Sequence, residues 1–427
     1  MKKEKLVERQ YLLPFILITS LFALWGFAND ITNPMVAGFQ TIMELSAAKA
    51  SLIQFAFYGG YATMAVPAAL FIRRFSYKKG ILLGLALYAV GAFLFIPAAA
   101  RESFTFFCLS LYILTFGLAF LETTANPFIL SLGTKETSTR RLNLAQAFNP
   151  IGSLTGMAVA SWVVLPSLLS DAHRDAEGVN HFAELDVATK ATERVHDLAV
   201  IRNAYVALGV VVLIVLIVIA LARMPRTAGS GVRTKGTLGR LWHNVDYREG
   251  VLAQLFYVGA QIMTWTFIIQ YADNLGIDKA TAQKYNIIAM GMFLCFRFIA
   301  TFLMKYFNSR NLLAVFGCGA ALCTLGAILF VGPLGLGCLV AVSAFMSLMF
   351  PTIYGIALEK VTPEDSTLGA SFLVMAIVGG SILPPLQGSI IDLGTVFGHP
   401  AVNVSFALPL FCFLMVTLYG LRGRRRA

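Results

Sequence analysis

The chain has 427 residues, 58% of them hydrophobic and only 13% charged, with a formal net charge of +11 and a mean hydropathy of +0.75. About 248 apolar side chains are more than a soluble protein of this length can hide, and a disordered or collagen-like chain needs far more polar residues, Pro or Gly. What remains is a polytopic membrane protein. A spanning helix takes roughly 20 apolar residues, so the supply suffices for about twelve spans.

The opening MKKEKLVERQ followed by an apolar run superficially resembles a secretory signal. The run from Tyr11 to Ala28 is longer than the apolar part of a signal peptide, and no A-x-A site follows, so it is read as the first spanning helix. Twelve apolar segments succeed one another, at about 11–40, 50–72, 80–100, 103–132, 142–170, 200–222, 250–274, 284–306, 311–331, 334–359, 367–391 and 400–421. Gly332-Pro333 predicts a tight hairpin between the ninth and tenth. Two connections are long: 171–199, polar and acidic with three His, and 223–249, with Pro225, Gly229, Gly231 and Gly236. The second is the natural cytoplasmic linker between an N-terminal six-helix bundle (1–222) and a C-terminal one (250–427).

The basic residues orient the chain. With the N-terminus in the cytoplasm, 24 of the 33 Lys and Arg fall on the inner side, 8 on the outer side, and Arg297 alone within a span. Enrichment of Lys and Arg in cytoplasmic loops accounts for the net charge better than nucleic acid does, and it predicts an all-α protein with both termini inside. The halves echo each other: Phe75–Lys78 matches Phe307–Arg310 at an offset of 232, Asn126-Pro127 matches Phe350-Pro351 at 224, and Gly152-Ser153 matches Gly380-Ser381 at 228. A duplicated six-helix unit is a transporter architecture.

Cys108, Cys295, Cys318, Cys323, Cys338 and Cys412 all sit in apolar stretches without a CxxC, and the five His lie in polar connections. Neither pattern predicts a disulfide framework, a metal site or a histidine proton relay. GxSxG, HExxH and Walker motifs are missing from the sequence, so the expectation is a carrier, not an enzyme, that uses no cofactor and draws on a gradient. One charge crossing 100 mV releases about 2.3 kcal/mol.

Polar residues within the spans point to the site. Asp30 and Glu122 are acids in apolar surroundings, where an isolated charge costs about 2.5–3.5 kcal/mol. Burial disfavours the ionised form, so such carboxyls suit loading and release of a proton. Arg297 must pair or face a cavity, where it could hold a carboxylate or donate forked hydrogen bonds to a hydroxylated ligand. Asn29, Asn33, Gln54 and Asn126 lie beside the acids or in neighbouring spans, and Asn143, Gln146 and Asn149 recur at a spacing of three on one helix face. Gln261, Trp265, Gln270 and Tyr354 stand in the second half. Amides beside aromatic rings suit a neutral polyol such as a sugar, although each amide alone could serve helix packing. Pro34, Pro127, Pro150, Pro351 and Pro384-Pro385 predict breaks or kinks at several depths.

The runs LFALWGFAND, SLIQFAFYGGY, FLETTANPF, RLNLAQAFN, VLAQLFYVGAQ and FPTIYGIAL closely resemble the bacterial L-fucose:proton symporters, in the fucose–galactose–glucose branch of the major facilitator superfamily. The similarity runs from Tyr11 to the last helix, and LETTANPF and RLNLAQAFN are its most specific pieces. It implies a twelve-helix two-bundle fold, alternating access, and sugar uptake with protons across the bacterial inner membrane. By motif, Glu122 is similar to the family's helix-4 carboxylate tied to sugar binding and coupling, and Asn149 to the helix-5 amide that contacts sugar. The family pattern places its helix-1 acid where this chain has Asn33, whereas the acid here is Asp30, one turn earlier. The expectation is therefore a monomeric monosaccharide–proton symporter in the lipid bilayer, with L-fucose the first choice of sugar, Asp30 and Glu122 coupling protons, and Asn29, Asn33, Gln54, Glu122, Asn126, Gln146, Asn149, Gln261, Trp265, Arg297 and Tyr354 binding substrate. A passive facilitator, a nutrient sensor, or a symporter for galactose, glucose, an amino sugar or a deoxypentose are the alternatives.

Overall fold

The computed structural model describes residues 6–45, 52–173, 180–225, 236–277, 279–396 and 398–422. Among these, twelve helices are long and apolar enough to cross a membrane. They are α1 (Leu12–Ile42), α2 (Leu52–Arg74), α3 (Tyr77–Ala100), α4 (Phe104–Ser131), α5 (Ser138–Ser167), α6 (Val187–Leu221), α7 (Val245–Asp273), α8 (Lys279–Leu303), α9 (Ser309–Leu329), α10 (Pro333–Glu359), α11 (Pro363–Ile391) and α12 (Ala401–Arg422). Among the described residues one pair of antiparallel strands, β1 (Thr395–Val396) with β2 (His399–Pro400), precedes α12. The all-α expectation and the count of spans hold.

Sequence reading misplaced the start of α6. The polar stretch 171–199 reads as a connection, yet the helix begins at Val187, capped by the Asp186 side chain on Thr189 N. Hydropathy sees only the apolar part of a helix. In VATKATERVHDLA the Ala, Lys, Glu, Arg and Leu residues, seven of thirteen, are good helix formers behind a good N-cap, so the helix extends beyond the apolar part. Hydrogen bonds from the Thr189 hydroxyl and backbone amide hold the Asp186 carboxyl below its usual range. The same loop is fastened by Asp197, fully buried, which accepts from Leu169 N (2.8 Å) and Ser170 N (2.9 Å). The Gly332-Pro333 hairpin forms as expected: Gly332 adopts φ +132°, open to glycine, and Pro333 starts α10.

The prolines act unevenly. α1 and α4 run on through Pro34 and Pro127. By contrast, α5 is interrupted at Ala147, between Gln146 and Phe148, and α10 at Ser347–Leu348. α11 passes through a tighter turn at Ala376–Val378 before Pro384-Pro385. The break in α5 ends three residues before Pro150, and that in α10 three before Pro351. Each proline lacks the N–H that would bond the carbonyl four residues earlier.

Contacts divide the chain into two compact units. One comprises Ile16–Ala125 and Phe148–Pro225; the other comprises Met1–Phe15, Asn126–Ala147 and Arg226–Ala427. In the first unit α3 packs along α6. Only 28% of α6's most apolar window is buried, so its outer face belongs to lipid. In the second unit α9 packs on α12 and α10, and α7 on α10, α11 and α12. The segment Asn126–Ala147 belongs to this second unit, through contacts of its 138–146 helix with α8 and α10. Arg141, fully buried, donates to the carbonyls of Ile129 (2.8 Å) and Leu130 (2.6 Å) at the end of α4. At one end of this unit, Arg240 of the short helix Thr237–His243 grips Asp365 with Nε (2.6 Å) and Nη2 (2.7 Å). That carboxylate raises the proton affinity of Arg240 further. Lys360 meets Asp246 at 2.9 Å nearby.

In the first unit, α1 and α5 cross almost backbone to backbone. A Cβ on Gly152 would collide with the carbonyl of Ala23. Gly152→Val is therefore expected to lower the melting temperature in detergent by several degrees, from overpacking of about 1–3 kcal/mol. Gly239→Ala, where a Cβ meets nothing within 4 Å, is expected to leave it unchanged.

Candidate functional site

Two groups of intramembrane polar residues emerge, one in each unit. In the first unit, α4 carries Glu122, 3% exposed, whose Oε2 has no hydrogen-bond partner among the described residues. No Lys or Arg pairs with it among the described residues. α1 supplies Asp30, 9% exposed, and the half-buried Asn29 one residue before it. α2 supplies Tyr58, near enough to Asp30 to feel its charge, and Tyr61, near enough to Glu122 for the same. The Trp25 indole donates to the Tyr61 hydroxyl at 2.6 Å. From α5, the Asn149 amide donates to the carbonyl of Phe22 on α1 at 3.2 Å. The side chains of Asn33 and Gln54 lie outside the described residues.

Helix geometry explains this grouping. Tyr58 and Tyr61 are three residues apart and share a face of α2. Trp25 and Asn29, four apart, share a face of α1. Glycines at the α1–α5 crossing bring those two backbones together. Thr32 and Tyr205 close the side toward α6 with a hydroxyl pair at 2.8 Å.

In the second unit, Arg297 of α8 is 3% exposed. Its Nε donates to the carbonyl of Ser347 at 2.5 Å and its Nη1 to that of Gln146 at 3.0 Å. These are the two carbonyls four residues before Pro351 and Pro150. The arginine thus replaces, with one guanidinium, the two backbone donors that the prolines remove. Its Cζ also lies 4.5 Å from the Phe293 ring centroid, and Phe293 meets Trp265 edge-on at 5.0 Å. Trp265 donates to Ser343 at 3.1 Å. The Gln146 amide donates to Asn126 Oδ1 at 2.8 Å, and Asn143 donates to Thr352 at 3.1 Å. Gln261 is half-buried and Tyr354 fully buried.

The structure therefore brings Asn126, Gln146 and Arg297 into one hydrogen-bonded set, with Trp265 linked through Phe293. It groups Glu122 with the tyrosines of α2, and Asp30 with Tyr58. The two Arg297 hydrogen bonds go to backbone carbonyls, through Nε and Nη1. Sequence reading missed Tyr61 and Trp25, whose only signal was their place in the runs SLIQFAFYGGY and LFALWGFAND. It also missed Gln254 of α7, fully buried with neither amide atom hydrogen-bonded among the described residues; its spacing of seven from Gln261 was the available clue.

Residues 16–385 match the family model described as Major Facilitator Superfamily. The chain belongs to that superfamily. It is a multi-pass membrane transporter and not an enzyme. It is 61% identical to the L-fucose-proton symporter of Haemophilus influenzae over 98% of each chain. It is 34% identical to the L-fucose-proton symporter of Escherichia coli, over 97% of this chain and 93% of that one. A crystal structure of the superfamily transporter FucP in the outward conformation matches with a TM-score of 0.88 and 32% identity, covering 98% of this chain and 100% of that one.

The role of Arg297 has a direct test in stability. Arg297→Met leaves two buried carbonyls unpaired, and thermal unfolding in detergent should register a loss of about 1–3 kcal/mol. Restoring the backbone donors with Pro150→Ala and Pro351→Ala in the Arg297→Met background should recover part of that loss. The same two proline changes beside an intact Arg297 should add little. Strict additivity of all three changes would show that arginine and prolines are not coupled.

Proposed function

We propose that this chain is a proton-coupled sugar symporter of the bacterial inner membrane, taking up L-fucose by alternating access. The observation that carries the reading is Glu122, a carboxyl buried in a spanning helix with no cation beside it among the described residues. An acid in that setting is stable when neutral and strained when ionised. It can therefore change state when a sugar hydroxyl replaces water as its partner. Full-length similarity to L-fucose-proton symporters supports both the proton and the sugar.

In this reading Asp30 exchanges the proton with the outer solution, and Glu122 binds a sugar hydroxyl and couples to it. Asn29, Asn33, Gln54, Asn126, Gln146, Asn149, Gln261, Trp265 and Tyr354 offer the two-way hydrogen bonds and aromatic faces that a monosaccharide uses. Arg297 is a further candidate for a sugar hydroxyl: its carbonyl contacts at the breaks in α5 and α10 use two of the five N–H donors a guanidinium carries. The two halves, 1–222 and 250–427, exchange access around the linker 223–249, with both termini in the cytoplasm and one chain sufficient for transport. The Asn126–Ala147 segment, which belongs with the second unit here, is the part of the N-terminal half that would release when access switches.

The test is pH change in a weakly buffered suspension of right-side-out vesicles. Adding L-fucose should make the outside more alkaline, and D-glucose or D-galactose should do so less. Sugar uptake without alkalinisation would identify a passive facilitator; alkalinisation by another sugar alone would reassign the substrate. Asp30→Asn should abolish accumulation against a gradient while sugar exchange continues, measured with radiolabelled L-fucose in the same vesicles. Concentrative uptake by that variant would remove Asp30 from the coupling path.

A further inference from the structure

The short helix Thr237–His243 is separated from α7 by Asn244 alone. At about 100° per residue its side chains fall into distinct sectors. Thr237 and Leu241, four apart, are buried. Leu241 faces Gly369 of α11, where a Cβ would meet its Cδ2 at 3.5 Å. Leu238 and Trp242 are also four apart and lie one residue further round. They are 60% and 68% exposed. Gly239 and His243 follow, again exposed. Arg240 closes the circle with its two-nitrogen grip on Asp365 in the first turn of α11. The helix thus has a protein side, a polar side, and an apolar side without a cover in this unit.

The apolar side runs on into the outer face of α7. The Arg248 guanidinium carbon lies 5.5 Å from the Trp242 ring centroid. Arg248 and Leu252, four apart on α7, are both exposed and share a face. An exposed apolar face on a spanning helix meets lipid. Trp242 therefore stands beside the lipid face of α7, at the level where the span begins. Indole rings favour that level, apolar body toward the chains and N–H toward water.

We propose that Thr237–His243 is an interfacial anchor, lying on the bilayer surface with Leu238 and Trp242 set among phospholipid headgroups and first chain carbons, and with Arg248 at a lipid phosphate. Phospholipid fits better than a partner protein. Two side chains fall far short of the roughly 800 Å² per partner that a stable protein interface takes. The neighbouring acids do not repel a phosphate, because each is paired with a cation: Asp365 with Arg240, Glu249 with Arg422 at 3.1 Å, and Asp246 with Lys360 at 2.9 Å. An exposed Arg beside an interfacial Trp also draws anionic lipid. Because Arg240 binds Asp365, the anchor ties the first turn of α11 to the membrane surface.

The experiment is tryptophan quenching in the full chain, reconstituted in vesicles of phosphatidylethanolamine and phosphatidylglycerol. Trp162 is also exposed, so the background is Trp162→Phe. The signal of Trp242 is the difference between that variant and the double variant Trp162→Phe, Trp242→Phe, with Trp242→Tyr as the substitute if the phenylalanine does not fold. Lipids brominated just below the headgroup should remove most of this signal, which places the ring at about 5–10 Å depth. Lipids brominated at the chain ends, and iodide in the water, should remove little. Quenching by iodide without quenching by bromine would put the face in water and overturn the proposal. Quenching by neither would mean a protein cover, and quenching mainly by the deep bromines would mean a buried rather than interfacial ring; both overturn it too. Brominated phosphatidylglycerol should quench more than brominated phosphatidylethanolamine, and Arg248→Gln should abolish that preference. No preference in the parent variant would remove the phosphate from the site.

Discussion

The structure depends on keeping one carboxyl, that of Glu122, inside a helical bundle with no cation to neutralise it among the described residues. In lipid no solvent compensates a buried charge, so the neighbours decide when the group can ionise. An ion pair would fix Glu122 in the charged state. A wholly apolar pocket would fix it in the neutral one. The proposed coupling role requires a setting between those limits. In the proposed function this carboxyl binds and releases a proton in step with the sugar.

The second unit handles its intramembrane charge by the opposite means. Arg297 stays charged and is paid for by backbone carbonyls, not by an acid. Pro150 and Pro351 interrupt α5 and α10, and each interruption leaves a carbonyl without its helical donor. One guanidinium serves both, through separate nitrogens. A helix break beside a fixed charge makes the ends of Asn126–Ala147 and of α10 depend on one side chain. Under the proposed alternating access, that dependence would couple the docking of this segment to α10.

Much of the architecture is legible in the sequence because lipid allows few solutions: apolar runs of spanning length become helices. Eleven of the twelve spans begin within about six residues of where hydropathy places them. α6 escapes because its first turns are helical but polar, and only the cap at Asp186 marks them. The acids Asp30 and Glu122 and the amides Gln146 and Asn149 are legible because polar groups in spans are rare. The function of Arg297 is not legible in the same way. Its partners are carbonyls, which every residue carries, and the prolines that free them lie 147 residues before it and 54 after it in sequence. Tyr61 is hidden for a related reason: phenols are common in membrane helices, and only the direction of the Trp25 hydrogen bond distinguishes this one.

The central claim is that Glu122 changes its ionisation as sugar binds. It is tested most directly by counting protons taken up or released when L-fucose is added to the purified protein in a lightly buffered solution, across pH 5 to 9. A pH-dependent proton exchange on binding, lost in Glu122→Gln with the sugar still bound, is the predicted result. Sugar binding with no proton taken up or released at any pH would contradict the account.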